Sequence, residues 1–284
     1  MPALSAVVCA RNESEKIEEC LRSLRWADEV VLLDMQSTDA TVERARPWAD
    51  RVISIPPVPV VEMVRDRMLQ EASHDWVLIV DPDERIPHAL ALRLRELLGS
   101  TQTFAALRIP RRNFLLNHPM RAAGWYPDPQ VRLLNKHKAR WPAAVHSVPQ
   151  VEGVILDLPC GDGAEILHYN YSSLSEFLHK MNRYTDAHAR ALREEGSRFR
   201  WYKLFYHPLK EIWLRYISRR GYRDGLPGLV FTLLMGIYYL VLYAKLWELE
   251  RAANILDQPI SDSQKSMPLE SRIPSSSVEG DLQP

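Results

Sequence analysis

Cysteine is scarce: Cys9, Cys20 and Cys160 are the three in 284 residues, and no two are spaced as CxxC. That excludes a zinc ribbon or a disulfide framework, and the odd number fits a reducing compartment. No GxGxxG occurs, which disfavours a dinucleotide-dependent oxidoreductase. The turn after the first apolar run, Ala10-Arg11-Asn12-Glu13-Ser14, has no glycine. That counts against a nucleotidyltransferase, which needs a glycine-rich phosphate loop at this point. An excess of either charge is also missing, because 36 Lys plus Arg balance 36 Asp plus Glu. Such a chain is a poor candidate for a general nucleic-acid binder. The opening residues, MPALSAVV, lack the basic segment and long apolar core of a signal peptide. The N-terminal part is therefore expected in the cytoplasm.

What is present is an ordinary globular balance, 46% hydrophobic and 25% charged residues, enough for one substantial core with an appendage. The neutral total conceals unlike parts. Residues 1–100 carry a net charge of −6, 101–195 of +3, 196–223 of +7 and 224–284 of −4. A +7 block within 28 residues calls for a local explanation.

The first hundred residues alternate two periodicities. Apolar runs at 4–10 (LSAVVCA), 29–34 (EVVLLD), 51–55 and 76–81 (WVLIVD) read as buried strands. Helical spacing appears at 15–24, 41–48, 60–72 and 87–98. This βαβαβαβα order implies an α/β domain, a mostly parallel sheet with helices on both faces. From 104 to 170, strand-like pieces at 104–110, 131–135, 154–158 and 166–169 stand among Pro, Gly, Trp and His, as in an α+β half. The division expected is a catalytic domain at 1–172, a helical membrane-associating region at 173–254 and a disordered tail at 255–284. A long amphipathic helix is predicted over 173–195, with Ser172 or Ser173 as N-cap.

Residues 226–244 (LPGLVFTLLMGIYYLVLYA) carry no charge and approach the ~20 residues of a bilayer span. Pro227, Gly228 and Gly236 make a buried soluble helix less attractive. Arg215, Arg219, Arg220 and Arg223 precede the stretch, and Tyr238, Tyr239, Tyr243 and Trp247 stand near its far end. A basic flank with aromatic anchors is the membrane-interface pattern. Hydropathy does not distinguish a span from a helix lying in the interface, and a hydrophobic helix packed on the domain or in a dimer is the alternative.

The chemistry-bearing residues gather where strands end. Asp81-Pro82-Asp83-Glu84 follows the fourth strand, and ligands of open α/β sheets collect at the carboxyl ends of strands. Two acids one residue apart suit one Mg²⁺ or Mn²⁺, which prefers oxygen ligands and bridges carboxylates to substrate phosphates. The bland reading is that Asp83 or Glu84 caps the helix near Pro87. Asp34 ends the second strand, followed by Ser37 and Asp39, either of which can cap the next helix. Ala10-Arg11-Asn12-Glu13 ends the first.

Taken together, these segments resemble family 2 glycosyltransferases, the nucleotide-sugar-binding enzymes of GT-A fold. The residues that carry the resemblance are 7–13 (VVCARNE), 33–41 (LDMQSTDAT) and 75–84 (DWVLIVDPDE). Later segments are similar to the subgroup that includes bacterial lipopolysaccharide inner-core β-glucosyltransferases. They are 110–114 (PRRNF), 124–128 (GWYPD), 130–134 (QVRLL), 145–146 (VH), 167–169 (LHY), 173–177 (SLSEF), 219–228 (RRGYRDGLPG) and 243–248 (YAKLWE). The resemblance runs in order over about residues 4–248.

It implies an inverting transferase that moves a hexose, glucose from UDP-glucose, onto a glycolipid or polysaccharide acceptor such as lipopolysaccharide core. The enzyme would work at the inner face of the cytoplasmic membrane with Mg²⁺ or Mn²⁺. Asp81 and Asp83 match its metal motif, Asp83 as direct ligand. Ala10, Asn12, Glu13 and Asp34 match the nucleotide loops, Arg65 a basic residue near the phosphates, and Asp128 the catalytic base. His146 or His168 can complete the metal shell or meet acceptor oxygen. Arg111, Arg112 and Arg132 can read an acidic acceptor or form ion pairs. Inverting transfer needs one base for the acceptor hydroxyl and a cation for the departing diphosphate, with no second carboxylate as nucleophile. A sugar nucleotidyltransferase and a non-catalytic membrane-bound nucleotide-sugar-binding protein are the other classes that share this sheet. The chain departs from the family pattern at Gln36, where Gly is usual, at Asp66, where Asn is usual, and at Ser147, where Glu is usual.

Overall fold

The protein is described by a computed structural model that covers residues 1–58, 60–142, 147–161 and 163–256. His146 and nearly all of the predicted tail, from 257 on, lie outside the described residues.

Strand and helix alternate as predicted through β1 (Leu4–Ala10), α1 (Ile17–Arg22), β2 (Glu29–Asp34), α2 (Thr41–Ala45), β3 (Arg51–Ser54), α3 (Arg65–Glu71) and β4 (Trp76–Val80). A two-residue strand, β5 (Glu84–Arg85), then precedes α4 (His88–Gly99). α1, α2 and α3 are shorter than their periodicity predicts, while α4 has the predicted length. Val61–Val64 forms a 3-10 turn ahead of α3, where β-branched side chains disfavour the α-helix. All seven residues of β1 are buried, because the strand is covered on both faces. Leu4, Ala6, Val8 and Ala10 enter one hydrophobic cluster with α1 and α4, and Val7 and Cys9 enter another with α3. Alternate residues of one strand thus serve two cores.

The second half supplies β6 (Ala106–Ile109), β7 (Arg111–Leu115), β8 (His118–Pro119), β9 (Gln130–Asn135), β10 (Ala139–Arg140), β11 (Gln150–Val151), β12 (Ile155–Asp157) and β13 (Ile166–Tyr171). The main sheet runs β12-β6-β9-β4-β1-β2-β3, with β9 antiparallel to both neighbours, so it is mixed. A four-stranded sheet, β5-β13-β7-β8, stands beside it. Register aligns the strand ends: Ala10 pairs with Asp34, Asp34 with Ser54, and Val8 with Val80. The segments after β1, β2 and β4 therefore leave the sheet at one edge. β5 joins the acidic turn after β4 to the smaller sheet through Glu84–His168 pairing with β13.

Three long helices complete the chain. In α5 (Leu174–Glu194), Ser173 is the N-cap and its hydroxyl accepts from the Glu176 N–H at 3.1 Å. The basic block is itself helical: α6 (Lys203–Trp213) continues through a π-turn at Leu214–Ser218 and a 3-10 turn at Gly221–Asp224 into α7 (Gly225–Leu256). α7 is long and apolar enough to cross a membrane. Phe177 and Met181 of α5 share a cluster with Phe231 and Leu234 of α7 and with Leu115, Met120 and Ala123 of the smaller-sheet region.

The glycines of α7, which from sequence weaken the case for packing, are what permit it. A Cβ on Gly236 would lie 2.8 Å from Ile212 Cδ1, and one on Gly228 would collide with the Gly221 carbonyl oxygen. Alanine favours helix over glycine by ~1 kcal/mol, but backbone cannot yield as a flexible side chain does. Gly228→Ala is therefore expected to destabilise the fold by roughly 1–3 kcal/mol. An unchanged urea midpoint would show that the Gly221–Gly228 approach is not required.

Candidate active site

Asp81 opens the acidic turn after β4. Its Oδ1 accepts from Arg65 Nη2 at 2.5 Å and its Oδ2 from Arg132 Nη2 at 2.5 Å. Arg65 comes from α3 and lies 5.7 Å from the Trp141 ring centroid. Arg132 comes from β9, is 4% exposed, and gives the same Nη2 to Glu84 Oε1 at 2.7 Å. Burial works against the Asp81 charge, but the two guanidiniums outweigh it and hold the carboxyl far below the usual range.

Glu84 is fully buried. Its Oε2 accepts the Asp81 N–H at 2.9 Å, and its Oε1 also takes Arg111 Nη1 at 3.1 Å. Neither Glu84 nor Asp83 caps α4, whose N-cap is Pro87 with no side-chain hydrogen bond. Glu84 instead anchors the turn to the buried Arg132 and the partly buried Arg111.

Arg111, from β7, turns its other edge to Asp128, with Nε at 2.9 Å and Nη2 at 2.6 Å from Oδ2. Asn113 Nδ2 reaches the same oxygen at 3.1 Å, while Oδ1 receives Gln130 Nε2 at 2.9 Å. Burial raises the Asp128 carboxyl, but Arg111, Asn113 and Gln130 together bring it below its ordinary value. Oδ2 thus holds three N–H donors and Oδ1 one, which leaves lone-pair capacity on Oδ1.

Asn113 also links Asp128 to the metal-motif acid. Its Oδ1 lies 2.5 Å from His168 Nδ1, and His168 Nε2 lies 3.5 Å from Asp83 Oδ2. Lys180 of α5 stands 3.8 Å from the same oxygen and 3.2 Å from Glu176. Burial opposes ionisation of Asp83, yet His168 and Lys180 win and lower its carboxyl. Burial, with Asp83 nearby, pushes the Glu13 carboxyl up. Among the described residues no group of three or more His, Cys, Asp or Glu could by itself hold a metal ion. The donor set fits the other mode, one or two protein oxygens or nitrogens completed by substrate phosphates. Asp83, 18% exposed at the side chain, is the carboxylate free of arginine partners there.

The loops after β1 and β2 are stitched together through backbone and short side chains. Asn12 N–H donates to Ser37 Oγ at 3.0 Å, and Asn12 Oδ1 accepts from Thr38 N–H at 2.8 Å. Glu13 N–H reaches Thr41 Oγ1 at 2.8 Å, and Ala10 O takes Met35 N–H at 2.9 Å. Asp34, 5% exposed, accepts from Ser37 N–H at 3.2 Å. It also borders a cleft of about 470 Å³ between α2 and the β2–β3 edge, which none of the residues around Asp83 or Asp128 lines. Asn12 and Gln36 both have positive φ, 55° and 54°. Asn tolerates that region; Gln36 stands where glycine is the unstrained choice. Asp66 does not face a free phosphate site: its carboxylate takes Trp141 N–H at 3.0 Å and Gln70 Nε2 at 2.7 Å. Ser147 Oγ donates to the Pro142 carbonyl at 2.7 Å.

Four basic or histidine residues proposed for the acceptor divide into two settings. Arg111, Arg132 and His168 are inside the network just described, bonded to Asp81, Glu84, Asp128 and Asn113, while Arg132 Nε is buried without a partner. Arg112 points elsewhere, 2.6 Å from the buried Glu165, which also receives Tyr126 OH at 2.5 Å. Glu165 thereby holds the loop before Asp128 from its other side. Glu84, Asn113, Gln130, Glu165 and Lys180 are the partners that the sequence does not reveal. Only Lys180 leaves a sequence signal, its i,i+4 spacing from Glu176.

Because Glu84 and Arg132 are buried, Glu84→Gln should cost ~3–5 kcal/mol in urea unfolding; a loss below ~1 kcal/mol, the scale of exposed pairs, would show that the charges are hydrated. The lowered carboxyls of Asp83 and Asp128 have a signed consequence. Each contributes stability that is present above the unfolded-chain value of about 3.9 and lost as pH falls through the lower folded value. Asp128→Asn should therefore flatten the fall of thermal midpoint below about pH 4; a parallel curve would remove Asp128 from the linkage.

Residues 5–146 match the model of glycosyl transferase family 2. The lipopolysaccharide core biosynthesis glycosyltransferase LpsC of Rhizobium meliloti (strain 1021) is 28% identical over 254 residues, 86% of this chain and 92% of that protein. An uncharacterized glycosyltransferase of Rickettsia typhi is 23% identical over 269 residues, 90% of this chain and 91% of its own. Among solved structures, glucosyl-3-phosphoglycerate synthase from Mycobacterium tuberculosis, in complex with Mn²⁺, UDP and phosphoglyceric acid, aligns at TM-score 0.33 and 28% identity. That alignment covers 40% of this chain and 43% of the synthase, so the chain spans less than half of that structure. On the family match and on its mixed sheet with acids at the strand ends, the chain belongs to glycosyltransferase family 2, with a GT-A fold.

Proposed function

We propose that the protein is an inverting hexosyltransferase that transfers glucose from UDP-glucose to a cell-envelope glycolipid or saccharide such as lipopolysaccharide core, at the cytoplasmic face of a membrane. The observation that carries this reading is the Asp128–Asn113–His168–Asp83 string, which sets a candidate base and a candidate metal ligand two side chains apart. The similarity to LpsC over 92% of that protein supports the acceptor class.

The residues divide the work as follows. Asp34, Asn12, Glu13 and the backbone after Ala10 bind base and ribose. Asp83, with His168 beside it, would hold Mg²⁺ or Mn²⁺, and Asp81 positions Arg65 for the phosphates. The cation, when bound, neutralises the charge that develops on the departing diphosphate. Asp128 stays ionised at neutral pH because Arg111, Asn113 and Gln130 hold it so, and its Oδ1 accepts the proton of the acceptor hydroxyl. Arg111 fixes the carboxylate while leaving that oxygen accessible. One base on one face of the sugar gives inversion.

A panel of nucleotide sugars, each assayed for UDP or other nucleotide release with Mg²⁺ or Mn²⁺, tests donor and cation together. UDP-glucose should lead the panel, and chelation should stop turnover. Asp83→Ala is expected to abolish transfer. Asp128→Asn should bind UDP as wild type does while kcat falls by roughly 10²–10⁴-fold, the range that general-base catalysis contributes. Unchanged kcat excludes Asp128 as base, and wild-type turnover by Asp83→Ala excludes it as metal ligand.

A further inference from the structure

We propose that α7 does not cross the bilayer, and that α6 and the outer stripe of α7 instead form an in-plane docking face for an anionic lipid surface, making the protein monotopic. The inference rests on the membrane part of the reading above and assigns its surface and orientation.

Two apolar stripes stand uncovered on neighbouring helices. On α7, Leu226, Leu229, Leu233, Ile237 and Leu240 are 37–71% exposed, at steps of three and four residues, so they share one face. On α6 and its flanks, Trp201, Phe205, Leu209, Trp213 and Ile217 are 51–72% exposed, at steps of four. The helices lie side by side, with His207 stacked on Tyr243 at 4.4 Å and Ile212 seated at Gly236.

The neighbour on the other flank of α7 decides the orientation. α5 is docked along it from Phe231 to Leu249. Phe177 and Met181 pack with Phe231 and Leu234, and Ala189 with Leu242 and Leu246. Lys245 pairs with Asp186 at 2.7 Å, and Arg193 donates to the Leu249 carbonyl at 3.2 Å. α5 itself carries Glu176, Lys180, Arg183, Asp186, Arg190, Arg193 and Glu194. A crossing α7 would take this charged helix into hydrocarbon, or else give up the contacts that fix it. Lying in the interface, α7 keeps α5 on the aqueous side and gives only its outer stripe to lipid.

Charge selects the occupant. Arg198, Arg200, Lys210, Arg219, Arg220 and Arg223 are exposed in the block that carries net +7. Acidic headgroups complement it, and Trp201 and Trp213 suit the headgroup level. A second copy in a two-fold contact would set one +7 face on another. The face is also joined to the candidate base loop: Arg219 O accepts Ala123 N–H at 2.9 Å, Arg215 Nη1 donates to Ala123 O at 3.1 Å, and Asp224 accepts Arg121 and Ala122 N–H. An acceptor glycan carried on lipid would thus meet Asp128 from the membrane side.

The full chain, in a Cys160→Ser background, is tested with Ser100→Cys on the catalytic domain and Ser276→Cys in the tail. In inside-out bacterial membrane vesicles, a membrane-impermeant maleimide should label both cysteines equally without detergent. A tail labelled only after detergent means that α7 spans and overturns the proposal. Purified chain should float with vesicles of equal phosphatidylcholine and phosphatidylglycerol and at least ten-fold less with phosphatidylcholine alone. Phe205→Glu with Leu209→Glu should cut flotation at least ten-fold at unchanged Tm and unchanged UDP release. Flotation that ignores these changes, or a lipid-free dimer that they dissociate, overturns it as well. Absent turnover with intact flotation would instead remove the catalytic reading and leave this one standing.

Discussion

The candidate site is organised around a carboxylate with no water to turn to. Glu84 is completely buried, and what makes that tolerable is that both of its oxygens are occupied, one by Arg132 and Arg111 and the other by the Asp81 N–H. Each arginine has a second acid, Asp81 or Asp128, so the charges alternate from Arg65 through Asp81, Arg132, Glu84 and Arg111 to Asp128. Three cations and three anions close to neutrality, with Glu84 and Arg132 buried at the centre and Asp128 partly exposed at one end. A buried pair of this kind is weak as a source of stability, because desolvation offsets much of its attraction. Its stronger effect is on position. The turn after β4 and the strands β5, β7 and β9 each contribute a member, so the two sheets cannot slide without breaking one of these contacts.

That constraint explains why the candidate residues are legible to unequal degrees. The strands of the first half declare themselves because β1, β2 and β4 are buried on both faces and read as unbroken apolar runs. Asp34, Asp81 and Asp83 stand out because each interrupts or follows such a run. Asp128 carries no such mark; only the resemblance around Gly124-Trp125-Tyr126-Pro127 draws attention to it. Arg111 and Arg132 look like surface cations in the sequence, since a strand position does not state which side is covered. Their burial follows from sheet pairing, β9 between β4 and β6 and β7 beside β13, and long-range pairing has no local signature. Asn113 and Gln130 are hidden for the same reason: each is an unremarkable polar residue until its neighbour strand is known.

The departures from the family pattern acquire physical content in the same way. Gln36 is at φ 54°, so the backbone has kept the conformation that glycine would adopt freely. The surrounding bonds supply the restraint: Asp34 takes the Ser37 N–H, and Asn12 takes that of Thr38. The same bonds tie the loop after β1 to the loop after β2. A side chain at position 36 is therefore accommodated by stitching rather than by flexibility. Asp66 is likewise satisfied by Trp141 and Gln70 and does not bring an unpaired charge to Arg65.

The C-terminal helices show what packing adds to composition. A nineteen-residue uncharged stretch meets the length of a span, and its glycines and proline seem to weaken a packed role. In the fold, those glycines admit Gly221 and Ile212, and a third of the most apolar window is buried against protein. One helix therefore has two apolar requirements on different faces, an inner one met by α5 and α6 and an outer one left unmet. A spanning helix needs lipid-compatible neighbours all round, and α5, with seven charged side chains, is not one. The basic residues between α6 and α7 also hold the loop at 121–125 that leads to Asp128. The proposed attraction to an anionic surface and the placement of the candidate base thus draw on the same short segment.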